Sequence, residues 1–372
     1  MNNTKLDYIS IEGFKSIASI EKLELHPINV IIGPNGSGKT NFIEIFSFLN
    51  AVRERRLKQY VSKSGGAEQI LHFGSKTTEN IKIAVSFCEK TNQYKLRLGP
   101  TMDDGLYVED ERAFFWKKEK HDRPYEQKLS QIENGWEAVI SDPNCIGAAK
   151  QVRDQLRRWQ LYHVHDTSAT SPLRKTAKLH DNAFLRQDGS NLPAFLYLLK
   201  IKHPDTYRMI QKTIQRTAPF FDDFELNPDQ LNEEMIRLVW RHKNSDQYFT
   251  ASSLSDGTLR FIVLAALFLQ PSNLRPSIIL VDEPELGLHP HAITLLASLV
   301  EQASQETQVI LSTQSSLLLD HFQPEDVLVA DRIDGSTRLT RLKTDPLKSW
   351  LEDYSLGQLW EKNELGGRPM RE

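Results

Sequence analysis

The stretch Ile28-Asn29-Val30-Ile31-Ile32-Gly33-Pro34-Asn35-Gly36-Ser37-Gly38-Lys39-Thr40 decides the fold. An apolar run opens into a glycine-rich turn that ends in Lys-Thr, and Phe42, Ile45, Phe46, Leu49 and Val52 follow at helical spacing. Strand, loop and helix in that order, with the loop fitting G-x-x-x-x-G-K-[ST], make a phosphate-binding loop. Its glycines let backbone N–H groups converge on phosphate oxygens, and a helix starting at Lys39 or Thr40 turns the positive end of its dipole to the anion. Lys39 then reaches the β- and γ-phosphates, and the Thr40 hydroxyl suits Mg²⁺. Asn35, Gly36, Ser37, Gly38, Lys39 and Thr40 are the predicted nucleotide contacts.

Composition narrows the class. The chain has 372 residues, 39% hydrophobic and 26% charged, enough for one large domain or two to three small ones. A net charge of −3 does not advertise nucleic acid, which would need a local basic surface. Two cysteines, Cys88 and Cys145, are too few for a disulfide scaffold, so a reducing cytoplasm is expected. The polar start Met1-Asn2-Asn3-Thr4-Lys5 lacks a secretory pattern. The longest apolar run, Phe261 to Leu269, is too short to cross a bilayer.

Outward from the loop, alternation at Tyr8 to Ile11 and an extended run from Ile17 to Leu25 predict a strand pair leading into the phosphate loop. The helix after the loop is expected to reach about Tyr60. Its basic end, Arg53 to Lys58, reads better as solvated, dipole-favoured capping than as nucleic-acid contact. Short alternating pieces at Ile81–Phe87, Tyr94–Leu98, Leu106–Val108, Ala113–Trp116 and Trp136–Ile140 predict an antiparallel sheet. From Pro143 to Phe224 the period becomes helical, with helices at Ala148–Leu161, Leu192–Ile201 and Thr206–Thr217. Arg153, Arg157 and Arg158 there read as a solvated face. Extended runs at Met235–Arg241 and Tyr248–Ala251 precede an apolar helix, Leu259–Leu269. The continuous run Ser277 to Val281, a helix from Pro290 to Gln302 and a strand at Val309–Leu311 complete a β-α-β pattern with a mostly parallel sheet. The predicted segments are therefore 1–141 and 226–372, carrying the two halves of the site, with a helical insertion at 142–225.

The second half begins where the Ile278 strand ends in Asp282-Glu283, a Walker B pattern. Asp282 is placed to hold Mg²⁺, and Glu283 to orient and deprotonate the attacking water. Leu254-Ser255-Asp256-Gly257-Thr258 resembles the LSGGQ signature of ABC-type ATPases: Ser255 offers a hydroxyl, Gly257 a close backbone N–H, and the next helix its N-terminus. Read alone, the same residues are an ordinary helix cap. His163 and His165 with Asp166 supply too few ligands for a metal reading.

These motifs in order resemble the ABC-class ATPases of the SMC, RecF and OLD group. Ile9-Ser10-Ile11-Glu12-Gly13-Phe14-Lys15-Ser16-Ile17 is similar to the group's "I-x-x-F-K-S" strand pair, and the resemblance puts Lys15 near the nucleotide. Glu283-Pro284-Glu285-Leu286-Gly287-Leu288-His289-Pro290 resembles the "E-P-E-x-x-L-H-P" phrase of OLD-like ATPases. Tyr162 to Ser168, Ser312-Thr313-Gln314-Ser315, and Trp350 to Gly357 with Gly366-Gly367-Arg368-Pro369 resemble a bacterial family of stand-alone predicted ATPases. The resemblance implies a P-loop NTPase of α/β class, an ABC-ATPase head with an antiparallel β subdomain and an inserted helical subdomain. It implies ATP and Mg²⁺ as cofactors and a head-to-tail homodimer in which Ser255 and Gly257 of one copy close on the nucleotide of the other.

Gln314 stands where ABC ATPases carry a switch histidine. An amide donates a hydrogen bond but carries no charge, so slow or partner-stimulated hydrolysis is expected. The 58 residues after Gln314 are too few for the TOPRIM nuclease domain that OLD proteins append. The resulting expectation is a switch for a separate effector, such as a nuclease in an antiphage module. A RecF-like DNA clamp is the alternative, and a transporter subunit fits the motifs less well.

Overall fold

The alternation that starts the chain folds as a hairpin, β1 (Leu6–Phe14) and β2 (Ile17–Glu24), paired antiparallel. This computed structural model describes residues 5–129, 135–164 and 166–366. They form two compact units, one drawn from 1–159 and 323–372, the other from 160–322.

In the first unit, β3 (Ile28–Ile32) is buried along its whole length and runs into α1 (Lys39–Arg53). Aromatic contacts fix α1 in the core: Phe14–Phe48 at 5.4 Å, Phe46–Trp159 at 5.2 Å and Phe87–Trp159 at 5.6 Å between ring centroids. The helix stops short of Tyr60, because Arg55 takes a left-handed conformation, φ 58°, and α2 (Leu57–Lys63) starts afresh. The antiparallel sheet is present, in the order β2-β1-β4-β5-β6-β7, with β4 (Ile81–Phe87), β5 (Asn92–Pro100), β6 (Leu106–Phe115) and β7 (Tyr125–Lys128). Two predicted pieces, Leu106–Val108 and Ala113–Trp116, are one strand. The predicted strand Trp136–Ile140 is instead a turn. Glu111, buried within β6, explains it: its carboxylate takes the N–H groups of Val139 (2.7 Å) and Ile140 (3.0 Å), which a strand partner would otherwise have claimed. Helix α3 (Ala148–Arg157) ends four residues before the expected Leu161.

Strand β8 (Trp159–Tyr162) takes over from that helix, and from Gln160 onward the chain belongs to the second unit, where β9 (Ala177–Lys178) follows. Helices α4 (Leu192–Lys202) and α5 (Pro204–Thr217) match the sequence expectation. Short antiparallel strands follow: β10 (Phe221–Glu225), β11 (Pro228–Asp229), β12 (Asn232–Ile236), β13 (Val239–His242) and β14 (Tyr248–Thr250). Helix α6 (Asp256–Leu269) is apolar all round from Phe261 onward and buried accordingly. Then β15 (Ile278–Asp282), α7 (Pro290–Ser304) and β16 (Gln308–Thr313) form the β-α-β unit, β15 pairing parallel with β16, and α8 (Ser316–Leu319) follows.

The chain then returns to the first unit. There β17 (Val327–Ile333) lies parallel to β3, Val30 opposite Val327, and antiparallel to β18 (Ser336–Arg341). Helices α9 (Thr344–Leu351) and α10 (Leu356–Glu361) complete it. The phosphate-loop strand is thus flanked by residues from the far end of the sequence.

Candidate active site

Local backbone geometry makes the loop a cradle. Gly36 and Gly38 have φ of 81° and 97°, a region costly for other residues, and Gly38 caps α1 without any side-chain bond. The first turn of α1 contains no acidic residue, so its N–H groups face an anion without competition. Lys39 is 6% exposed, and its Nζ donates to the carbonyls of Gly33 (2.6 Å) and Pro34 (3.0 Å), which folds the ammonium back over its own loop. Ser37 Oγ is buried without a hydrogen-bond partner. An orphaned hydroxyl, an uncapped helix end and a cationic side chain in one loop fit a phosphate chain.

Residues outside the motif clasp this loop. Thr337 of β18 donates its hydroxyl to the Ser37 carbonyl at 2.9 Å. That commits its proton, so Ser16 is the donor in the 2.6 Å bond between the two hydroxyls, and Asn41 Nδ2 in turn donates to Ser16 Oγ at 2.6 Å. A Cβ on Gly38 would stand 1.8 Å from Thr337 Oγ1. Beside this clasp Lys15, φ 49°, pairs through its ammonium with Glu44 of α1. Its backbone is tied to Ile70 O (2.7 Å) and His72 Nδ1 (2.7 Å).

In the second unit the strand registers place Asp282 opposite Ser312, whose hydroxyl donates to Asp282 Oδ1. Glu283 turns the chain with φ 42°, its N–H bonded to Ser312 O at 2.9 Å. The Gln314 side-chain amide donates to Glu283 Oε1, so the residue standing for the switch histidine touches the predicted base directly. Asp282 and Glu283 are both half-buried, accessible to a ligand and held from the protein side. The oxygen donors of Thr40 and Asp282 are of the hard type that Mg²⁺ prefers.

Ser255 caps α6, accepting from Thr258 N at 3.2 Å, as the ordinary-cap reading requires. It is also exposed. Gly257 packs against the turn after β15: a Cβ there would come within 2.1 Å of Gly287 O. Arg260, one turn on, donates Nε to Val164 O at 2.9 Å and Nη1 to Leu286 O. Arg174 braces the same loop through the carbonyls of Ala251 and Leu254 (3.2 Å) and Asp256 Oδ1 (2.7 Å). The signature loop is thereby one piece with the Leu286–Gly287 turn. Sequence reasoning missed Thr337 and Arg174, which belong to no motif, and gave no role to Ser16 or Arg260, although Ser16 closes the F-K-S phrase and Arg260 stands two residues after Thr258.

Tyr162 ends β8, and the described residues after it are a mixture of exposed (His163, Asp166, Ser168) and buried (Val164, Thr167) positions. Asp166 Oδ1 accepts from Ser168 N (3.0 Å) and Oγ (2.7 Å), and His163 N donates to Gln187 O at 2.9 Å. His165 and Gly367-Arg368-Pro369 lie outside the described residues. Among the described residues no group of three His, Cys, Asp or Glu could hold a metal, and no helix is long and apolar enough to cross a membrane. Arg153 is not part of a solvated face: its Nη1 donates to the carbonyls of Arg53 and Ile140, both at 2.7 Å, where the end of α1 needs donors.

The chain is similar to several known proteins. The "DNA replication and repair protein RecF" of Pseudoalteromonas translucida is 20% identical over 355 residues, 86% of this chain and 96% of that protein. The "OLD nuclease" of Thermus scotoductus is 22% identical over 366 residues, covering 88% of this chain and 63% of the nuclease. A "Chromosome partition protein Smc" from Mycoplasma genitalium is 38% identical over 73 residues, 19% of this chain and 7% of that one. Among solved structures, an Smc head bound to the C-terminal winged-helix domain of ScpA superposes with a TM-score of 0.61 at 14% identity, over 92% of this chain and 99% of that one. The Pyrococcus furiosus Smc head with an extended coiled coil gives 0.56 at 14% identity, over 94% and 98%. The family described as "AAA domain, putative AbiEii toxin, Type IV TA system" matches residues 28–320. The chain belongs to that family and is an ABC-class ATPase of the SMC, RecF and OLD group.

Proposed function

We propose that the chain binds and hydrolyses Mg-ATP, dimerises head to tail on ATP, and works as a switch for a separate effector. A nuclease of an antiphage module is the effector class. The observation that carries the catalytic part is the Gln314 amide on Glu283 Oε1 at the end of a buried strand. One carboxylate oxygen is held and the other is left to take a proton from water. Asn35 to Thr40 bind the triphosphate, with Lys39 leaving its own carbonyls for phosphate oxygens. Thr40 and Asp282 offer the oxygen donors that would hold magnesium, which would supply charge neutralisation to the triphosphate. Glu283 orients the attacking water and accepts its proton as the oxygen bonds to phosphorus and ADP departs.

The exposed Ser255 at the signature loop and the resemblance to ABC-class ATPases support the dimer reading: Ser255 and Gly257 of one copy face the γ-phosphate held by its twin. Lys15 contributes near the nucleotide once Glu44 releases it. The segments 1–141 and 226–372 carry the ATPase, with 142–225 as a helical insertion between them, in the cytoplasm. Steady-state phosphate release with the oligomeric mass measured with and without Mg-ATP tests this. ATP-dependent dimerisation with turnover supports it, and a mass unchanged by nucleotide refutes the switch. The similarity over 96% of RecF favours a second reading, a DNA clamp. ATP-stimulated duplex binding that weakens steeply with salt would select it.

A further inference from the structure

Glu285 has no part in the chemistry described so far, yet its carboxyl accepts from the backbone N–H of Gln314, whose side chain holds the proposed base Glu283. The turn after β15 folds back through Leu286 N to Glu283 O (3.3 Å) and Leu288 N to Glu285 O (3.0 Å). This drives the Glu285 side chain under the end of β16, where it is 8% exposed. There Oε1 accepts from Thr313 Oγ1 at 2.5 Å and from the backbone N–H of Gln314 at 3.3 Å. Thr313 Oγ1 is fixed from its other side by Ser315 N at 2.9 Å, and Ser315 caps α8. The second oxygen, Oε2, is sealed from solvent and has no partner.

A surface carboxylate would be free to move, and a structural ion pair would have a cation. Glu285 has neither freedom nor a cation bonded to it. Arg260, whose charge Glu285 feels, is bonded to the carbonyls of Val164 and Leu286. Only Oε1 is engaged, and what it holds, beside the Thr313 hydroxyl, is the backbone of the residue whose side chain grips Glu283.

We propose that Glu285 is a positioning residue for hydrolysis: as a buried acceptor it fixes the Thr313–Gln314 turn and so sets where the Gln314 amide holds the Glu283 carboxylate. The proposal rests on the ATP-hydrolysing reading of this site. Burial, with repulsion from Glu283, raises the pKa of Glu285 against the pull of the Thr313 and Gln314 bonds, which favours an uncharged acceptor. A glutamine carbonyl at the same place would serve equally.

The test compares E285Q, E285A and T313V as full chains, reading kcat and ATP affinity separately. E285Q should turn over within about threefold of wild type, while E285A and T313V lose about tenfold or more in kcat with affinity held within about twofold. The T313V arm stands if E285A fails to fold, since it removes the same bond from the other side. Wild-type turnover by both E285A and T313V, or an E285Q as slow as E285A, overturns the proposal. A wild-type protein that binds ATP without hydrolysing it would instead bring down the reading of the site itself, and this inference with it.

Discussion

Thr337→Val removes one oxygen at nearly constant shape, and the structure says what that oxygen does. Thr337 is 1% exposed and donates to the carbonyl of Ser37, itself 1% exposed, while accepting from Ser16. Valine leaves the Ser37 carbonyl buried without that donor, a cost of about 1–3 kcal/mol. Half-buried Ser16 can turn to water and adds little. In the nucleotide-free chain the loop can shift to hydrate the carbonyl, so the penalty falls on the closed cradle that phosphate requires. ATP affinity should then drop by about 5- to 150-fold, the equivalent of that energy. Titration of the full chain with a fluorescent ATP analogue reads it directly, beside a melting curve without nucleotide that should move only slightly. Thr337→Ser keeps the hydroxyl and should bind within a few-fold of wild type. Wild-type affinity in the valine variant would refute the clasp, and equal loss in the serine variant would mean that packing, not the hydrogen bond, matters.

Lys39→Ala should abolish nucleotide binding while leaving the melting temperature of the free protein near wild type, checked by the same titration and by calorimetry. Gly257→Ala forces a Cβ to within 2.1 Å of Gly287 O and must displace the turn beside the signature loop. ATP should still bind, but ATP-dependent dimerisation should fall by about tenfold or more, read by sedimentation. Chelating magnesium should stop phosphate release, with recovery on adding it back.

The parts legible in the sequence are those whose signal is local. A buried strand, a glycine turn and a helix within Ile28 to Val52 identify themselves, because each residue's conformation is set by its neighbours in the chain. The same holds for the run ending at Asp282-Glu283 and for the apolar helix after Leu259. What the sequence hid depends on residues far apart along it. Glu111 diverts Val139 and Ile140 from a strand, and nothing near Trp136 announces that. Thr337 reaches the phosphate loop from 300 positions away because β17 and β18 return to flank β3, and an isolated Ser-Thr pair carries no such message. Gln314 reads from the sequence as a stand-in for a histidine, but its bond to Glu283 depends on a turn closed by contacts from Glu285.

The most direct measurement is the mass and nucleotide content of Glu283→Gln purified with Mg-ATP. With the proton acceptor gone and the phosphate and metal contacts intact, the account predicts a stable dimer holding two uncleaved ATP molecules. A variant that releases phosphate at the wild-type rate, or that holds ATP as a monomer, would contradict it.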